Sequence, residues 1–170
     1  RSVRVQAEGF TPSRNMRKII NRNRGLTSEV IGPNTSREQY GLLRRYLDSR
    51  HEDGGMAEMT VLDYMAMVEE TSVKTNLVEY RDAEARLIAC LLVDEMRDGL
   101  SLVYSFFEPD MPAHSLGSYI ILDQIARAQR LKLPHVYLGY LIEDCGKMNY
   151  KKRFKPLQIL DEEGWQAYIE

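Results

Sequence analysis

A chain of 170 residues, 44% hydrophobic and 28% charged, has the make-up of one globular domain with a sizeable core, which excludes disorder as the default state. Its apolar stretches, such as Leu87 to Val93, fall far short of the ~20 residues of a membrane span. Nothing near Arg1 has the charged-then-apolar form of a signal peptide, so a cytoplasmic protein without a membrane partner is expected. A start on Arg1 rather than Met is the mark of an excerpt. The net charge of −2 conceals an asymmetry: Arg1, Arg4, Arg14, Arg17, Lys18, Arg22 and Arg24 face only Glu8, whereas the stretch from Glu58 to Glu70 is acidic. Such segregation points to an anionic ligand on one surface. Cys90, inside an apolar run, and Cys145, in a polar loop, fit neither a disulfide framework nor a zinc site, and no metal site is expected.

In chain order, Val3, Val5 and Ala7 alternate with polar residues as a strand does, until Phe10-Thr11-Pro12. Ser13 then precedes a basic helix over Arg14 to Arg24, and Leu26 to Ile31 reads as a strand that stops at Gly32-Pro33. Ser36 with Gln39 forms a capping box for a helix bearing Tyr40, Leu43, Tyr46 and Leu47, ended by Gly54-Gly55. Thr60 with Asp63 opens a second helix, whose stripe Leu62, Met65, Ala66 and Val68 is expected to face the core. From Leu77 the period changes. Leu77–Arg81, Leu87–Val93 and Leu100–Phe107, joined by turns at Asp82-Ala83-Glu84 and Asp98-Gly99, read as an antiparallel meander. Ser115 is expected to cap a long helix carrying Leu122, Ile125, Ala126 and Leu131, which ends at Leu133-Pro134. A strand over Val136 to Ile142, a basic amphipathic segment from Lys147 to Phe154, and a last strand Leu157–Leu160 complete the chain.

This order predicts an α/β (α+β) protein with an acetyltransferase-like (GNAT-like) fold, a mixed, mostly antiparallel sheet flanked by helices. It divides the chain into a basic arm with strands over residues 1–34 and an acetyltransferase-like domain over 35–170. Order alone does not supply function.

Two long runs do so: residues 98–122, from Asp98-Gly-Leu-Ser through Glu108-Pro-Asp-Met-Pro-Ala-His-Ser-Leu-Gly, and residues 133–157, from Leu133-Pro-His-Val-Tyr through Lys151-Lys-Arg-Phe-Lys-Pro-Leu. With Phe10-Thr-Pro-Ser-Arg and Tyr46-Leu-Asp-Ser-Arg-His-Glu-Asp-Gly-Gly-Met upstream, the chain resembles the bacterial aspartate/glutamate leucyltransferases and their eukaryotic relatives, the arginyl-tRNA protein transferases, along essentially its whole length. The clustered cysteines of that family's N-terminal region have no counterpart in the sequence. The resemblance implies an aminoacyltransferase of the N-degron (N-end rule) pathway, moving leucine from leucyl-tRNA to the α-amine of proteins that begin with Asp or Glu. It implies no cofactor, aminoacyl-tRNA being a co-substrate. Arginyl-tRNA as donor, acetyl-CoA-dependent N-acetylation, and a non-catalytic tRNA-binding domain are the alternatives.

One feature independent of the resemblance favours tRNA over coenzyme A. Acetyl-CoA enzymes of this fold hold a pyrophosphate on a Gly-rich turn at the start of the long helix, and the equivalent His114-Ser115-Leu116-Gly117-Ser118 has a single glycine. Its helix-start N–H groups still suit a phosphate or terminal adenosine, which makes Ser115 and Gly117 tRNA candidates.

The implied reaction is aminolysis of an activated ester by an amine whose pKa is about 7.7–8.0, so positioning and oxyanion stabilisation matter more than a strong base. Tyr104 and Tyr140, together with the phenols of Tyr119 and Tyr137, are candidate oxyanion donors; Asp144 is the candidate to orient the amine, with Glu108 and Asp110 as alternatives. An acidic acceptor residue calls for a cation, and arginine's planar fork matches a carboxylate best. Arg50 and His51 are the first choices, followed by Arg44, Lys147 and Arg153. Phosphates of tRNA are expected at Arg14, Arg17, Lys18, Arg22 and Arg24, and at a second patch of Lys147, Lys151, Lys152, Arg153 and Lys155. The oligomeric state is not legible in the sequence.

Overall fold

The computed structural model describes residues 1–50, 58–142 and 144–170. Its elements are β1 (Ser2–Gln6), α1 (Arg14–Arg22), β2 (Thr27–Gly32), α2 (Arg37–Ser49), α3 (Val61–Glu69), β3 (Lys74–Arg81), β4 (Leu87–Met96), β5 (Gly99–Phe107), α4 (Leu116–Arg130), β6 (His135–Tyr140), β7 (Leu157–Asp161) and β8 (Gly164–Ala167). Short 3-10 helices run over Pro112–His114 and Gly146–Arg153.

One eight-stranded sheet has the order β2-β3-β4-β5-β6-β1-β7-β8. All neighbours are antiparallel except β5 and β6, which α4 connects as a parallel crossover. The acetyltransferase-like expectation therefore holds, with two additions. Segment 1–34 is built into the sheet: β1 lies between β6 and β7, and β2 forms one edge beside β3. A final strand, β8, pairs with β7, Gly164–Ala167 lying antiparallel to Gln158–Asp161. The sequence pattern did not predict it.

Both sheet faces are covered, which explains why β4 is apolar at consecutive positions rather than alternating ones. Cys90 and Leu92 join Leu42, Leu43 and Leu47 of α2 and Tyr64 and Val68 of α3 on one face. Ala89, Leu91 and Val93 join Met16 of α1 and Ile120, Ile121, Leu122, Ile125 and Ala128 of α4 on the other. Burial pushes the Cys90 thiol well above its ordinary pKa, so it acts as a small core hydrophobe.

α2 keeps its capping box, and the same Gln39 reaches further. It is wholly buried; its amide donates to Glu79 on β3 at 2.8 Å, and its oxygen accepts from the Tyr64 hydroxyl at 2.8 Å. This polar tie locks α2 and α3 over the meander with both polar atoms of the Gln39 amide paired.

Three local expectations are corrected. α3 buries Tyr64 and Val68 and half-buries Met65 and Ala66, while Leu62 is 75% exposed: the aromatic Tyr64 meets both Gln39 and Phe106, and of the expected stripe Leu62 alone is turned outward. Leu131, expected on the core stripe of the long helix, lies exposed just beyond its end. The two-residue turn between β4 and β5 is Arg97-Asp98, with Met96 opposite Gly99. Gly99 is instead a point of close approach: any Cβ there would overlap the backbone carbonyl of His135 on β6.

Candidate active site

β5 and β6 pair only over Gly99–Ser101 and His135–Tyr137. The register of β4 and β5 also shifts, so that Leu92 faces Tyr104 and Val93 faces Leu102, leaving Val103 as the extra residue of a bulge. Beyond the three paired positions the strands part, and the gap is a cavity of about 360 Å³ lined by Leu102, Tyr104, Ile121, Leu138, Met148 and Lys151, among others. It shares Tyr46, Ser105, Gly117 and Tyr150 with a larger cavity of about 660 Å³. That cavity lies between the end of α2, the end of β5 and the start of α4, and it is also lined by Arg50, Phe107, Glu108, Ser115 and Lys147. A third, groove-like cavity of about 570 Å³ lies behind it, lined by Lys18, Ile19 and Arg22 of α1 together with Arg153 and Phe154. It meets the large cavity at Ser115 and Ser118.

All three spaces converge on the first turn of α4. The first helical bond there runs from the Tyr119 N–H to the Ser115 carbonyl, so the N–H groups of Leu116, Gly117 and Ser118 precede the ladder and carry the positive end of the helix dipole. Ser115 sits at the cap position but makes no side-chain capping bond, contrary to the sequence expectation, because its backbone is left-handed (φ 49°). This conformation is uncommon outside glycine. The preceding turn is clamped from α1: the buried Asn23 amide donates to the His114 carbonyl at 2.8 Å, and Arg22 donates to the Ala113 carbonyl at 3.0 Å. The basic helix thus sets the position of the α4 terminus as well as carrying charge.

At the mouth of the large cavity, the Arg50 guanidinium lies 4.7 Å from the Tyr46 ring centroid and 5.2 Å from that of Phe107. The two rings meet edge to face at 5.0 Å. Cation–π stacking holds the Arg50 carbon while leaving its edge N–H groups available to a carboxylate. Glu108 accepts from Arg45 at 3.2 Å and is the carboxylate of this wall. Burial pushes the phenols of Tyr46 and Tyr150 up from their ordinary values, and that of Tyr104 up to about 12. All three are therefore neutral hydroxyls at physiological pH, suited to donate rather than to act as bases.

The candidates drawn from the sequence separate on this geometry. Tyr104, Arg50, Lys147, Ser115 and Gly117 line the converging cavities. Lys18, Arg22 and Arg153 come together in the groove, so of the two roles the sequence offers Arg153 its position suits the tRNA rather than the acceptor. His51 lies outside the described residues. Tyr140 is 67% exposed and lines none of these spaces; its carbonyl instead accepts from Lys151 Nζ at 2.6 Å. Lys151 is only 8% exposed, and burial pushes its ammonium below the ordinary value, so it is a wall residue and not a surface phosphate contact. Asp144 is exposed and outside the cavity walls, where Glu108 stands in its stead. Arg44 pairs with Asp48 at 2.8 Å, Arg17 donates to the Pro12 carbonyl, and Lys152 lies over the Tyr168 ring. Arg14 and Lys155 are exposed away from the groove lining. Tyr46 and Phe107 were not singled out in the sequence as site residues. The spacing of Tyr46 and Arg50, one helical turn apart, was the available signal.

The model of the arginine-tRNA-protein transferase C terminus matches residues 38–161. The chain belongs to that family. It is 54% identical over 170 residues to the aspartate/glutamate leucyltransferase of Afipia carboxidovorans, covering 96% of this chain and 68% of the relative. It is 54% identical over 169 residues to that of Caulobacter vibrioides, covering 96% of this chain and 61% of the relative. The fold matches L-PGS from Bacillus licheniformis with a TM-score of 0.72 at 17% identity, over 91% of this chain and 56% of that one. It also matches a GCN5-related glucosamine N-acetyltransferase region of a fungal multi-domain enzyme with a TM-score of 0.59 at 10% identity, over 98% of this chain and 19% of that one. Within the transferase family, the convergence of a basic groove and two cavities on one helix terminus is the structural feature to be explained. Among the described residues, no helix is long and apolar enough to cross a membrane.

Proposed function

We propose that the chain transfers the leucyl group of leucyl-tRNA to the α-amine of proteins that begin with Asp or Glu, in the cytoplasm, as the marking step of the N-degron pathway. The observation that carries this reading is the meeting, at the first turn of α4, of a cation-lined groove and a cavity whose mouth holds a stacked arginine. The groove, with Lys18, Arg22 and Arg153, suits phosphates of the tRNA 3′ end, and the N–H groups of Leu116–Ser118 suit the last of them. Arg50 suits the acceptor's side-chain carboxylate, and the nearby Lys147 adds positive charge at the same wall.

In the reaction, the acceptor nitrogen attacks the ester carbonyl carbon, an N–C bond forms, the C–O bond to the ribose breaks, and the proton lost from nitrogen ends on the ribose oxygen. The neutral phenols of Tyr104, Tyr46 and Tyr150 suit the oxyanion of the tetrahedral intermediate. Glu108 suits the incoming amine by accepting its hydrogen bond, with Arg45 holding the carboxylate in place. No cofactor or metal enters this reading.

The test is transfer of radiolabelled leucine or arginine from tRNA to peptides beginning Asp, Glu, Arg or Ala. Product only from leucyl-tRNA and only on the Asp and Glu peptides is expected, and Arg50→Ala should raise KM for the Asp peptide about tenfold while leaving KM for the tRNA unchanged. Product on the Ala peptide at an equal rate, or equal effects of Arg50→Ala on both substrates, would remove the acceptor assignment.

A further inference from the structure

The smaller cavity differs in chemistry from the space it opens into. Its walls are Leu91 from β4, Leu102 from β5, Ile120 and Ile121 from α4, Leu138 from β6 and Met148 from the 3-10 segment. No carboxylate lines it among the described residues, whereas the large cavity has Glu108. One cation does line it: Lys151, whose Nζ is fixed on the Tyr140 carbonyl at 2.6 Å. The phenols of Tyr46 and Tyr150 belong to both spaces, so a group entering the small cavity leaves its carbonyl at the junction where those hydroxyls and the α4 terminus are.

We infer that this apolar cavity receives the side chain of the donor's aminoacyl group, and that the Lys151 ammonium in its wall selects an uncharged aliphatic side chain over a cationic one. The inference deepens the transferase reading and rests on it. An aliphatic side chain gains by leaving water for such walls. A guanidinium would have to shed its hydration with no carboxylate to meet it and with a like charge beside it, which is discrimination by repulsion added to discrimination by fit. The opening between β5 and β6, which exists because only three residue pairs join those strands, is thus the donor-selecting element of the fold.

The experiment uses the whole chain and one tRNA body, tRNALeu, charged by an acylating ribozyme with leucine, methionine, alanine or arginine, and an Asp-initiated peptide. In parallel, binding of hydrolysis-resistant 3′-leucylamido- and 3′-arginylamido-adenosine is measured by calorimetry. Leucyl and methionyl transfer at least tenfold above alanyl, and at least a hundredfold above arginyl, is expected. Val103→Phe, at a half-exposed bulge position lining the cavity, should cut leucyl transfer and leucylamido-adenosine binding at least tenfold but alanyl transfer less than twofold. Lys151→Met should raise arginyl relative to leucyl transfer at least tenfold, with a circular-dichroism melt to establish that the variant is folded. Equal loss of leucyl and alanyl transfer in Val103→Phe, or arginyl transfer matching leucyl in the unaltered chain, overturns the pocket while the transferase reading stands. Selective leucylamido-adenosine binding that Val103→Phe abolishes, in a chain that transfers nothing, supports the pocket and overturns the transferase reading.

Discussion

The two halves of the sheet are built in opposite ways. β2, β3, β4 and β5 follow one another in sequence as in space, each pairing with the next through long antiparallel ladders. In the order β6-β1-β7-β8, the first strand of the chain is inserted between two of the last, so β1 pairs with residues at least 129 positions away. Each half has its own polar staple. In the first, Glu95 accepts from Asn76 at 2.9 Å and from Arg127 of α4 at 2.8 Å, and pairs with Lys74 at 2.7 Å. In the second, Arg4 donates to Gln158 at 2.7 Å and to the Tyr137 hydroxyl at 3.2 Å, stacks at 4.2 Å from the Trp165 ring centroid, and Tyr137 donates to Asp98 at 2.6 Å across the junction. Arg4, one of the cations of the basic N-terminal stretch, is therefore committed to the fold. The site lies where the local half and the non-local half meet and then part. Acceptor candidates Arg50 and Glu108 come from the first half and its helix, whereas most donor candidates come from α1 and the segment before β7.

The strongest way to break this arrangement is at the junction itself. Gly99→Val places a side chain against the His135 backbone, which cannot move without opening the β5–β6 pairing, and should destabilise the chain by about 3 kcal/mol. A urea midpoint that stays unchanged would mean the two halves are not held together there. Next in size is a test of the division of labour. Lys18→Glu with Arg153→Glu should weaken tRNA binding about ten- to a hundredfold and lower the slope of its salt dependence by about 1 to 2, with peptide KM unchanged. Identical binding at low and high salt, relative to the unaltered chain, would take the groove out of the donor path.

The smallest effect separates the staple of the first half from its surroundings. Burial opposes the charge on Glu95, but Lys74 and Arg127 together outweigh it and hold its pKa below the ordinary carboxylate value. A depressed folded-state pKa contributes stability that is present above the unfolded value near 4.3 and is lost as pH falls through the folded value. Glu95→Gln should therefore cost about 1 kcal/mol at pH 7 and progressively less as pH falls below 4, read from denaturation midpoints. A constant difference across that range would show that Glu95 acts through shape rather than charge.

The capping box at Ser36 and Gln39, the meander and the long helix were legible because each depends on neighbours in sequence: caps lie three residues apart, and apolar periods repeat every two or 3.6. Gln39 marks where legibility ends, since a cap three residues away is visible in the sequence but its bond to Glu79, 40 residues on, is not. Arg50, Tyr104 and the single-glycine helix start were legible as site candidates because their chemistry follows from residue type. The demotion of Tyr140 and Asp144, and the change of Lys151 from surface cation to cavity wall, depend on where a strand ends and what covers it. The sequence by itself determined the elements up to β7, the family and the candidate cations, since local propensity and residue chemistry are properties of the chain. Only the tertiary structure decided which cations share a space, because a cleft made by two strands that pair for three residues and then separate has no local signature.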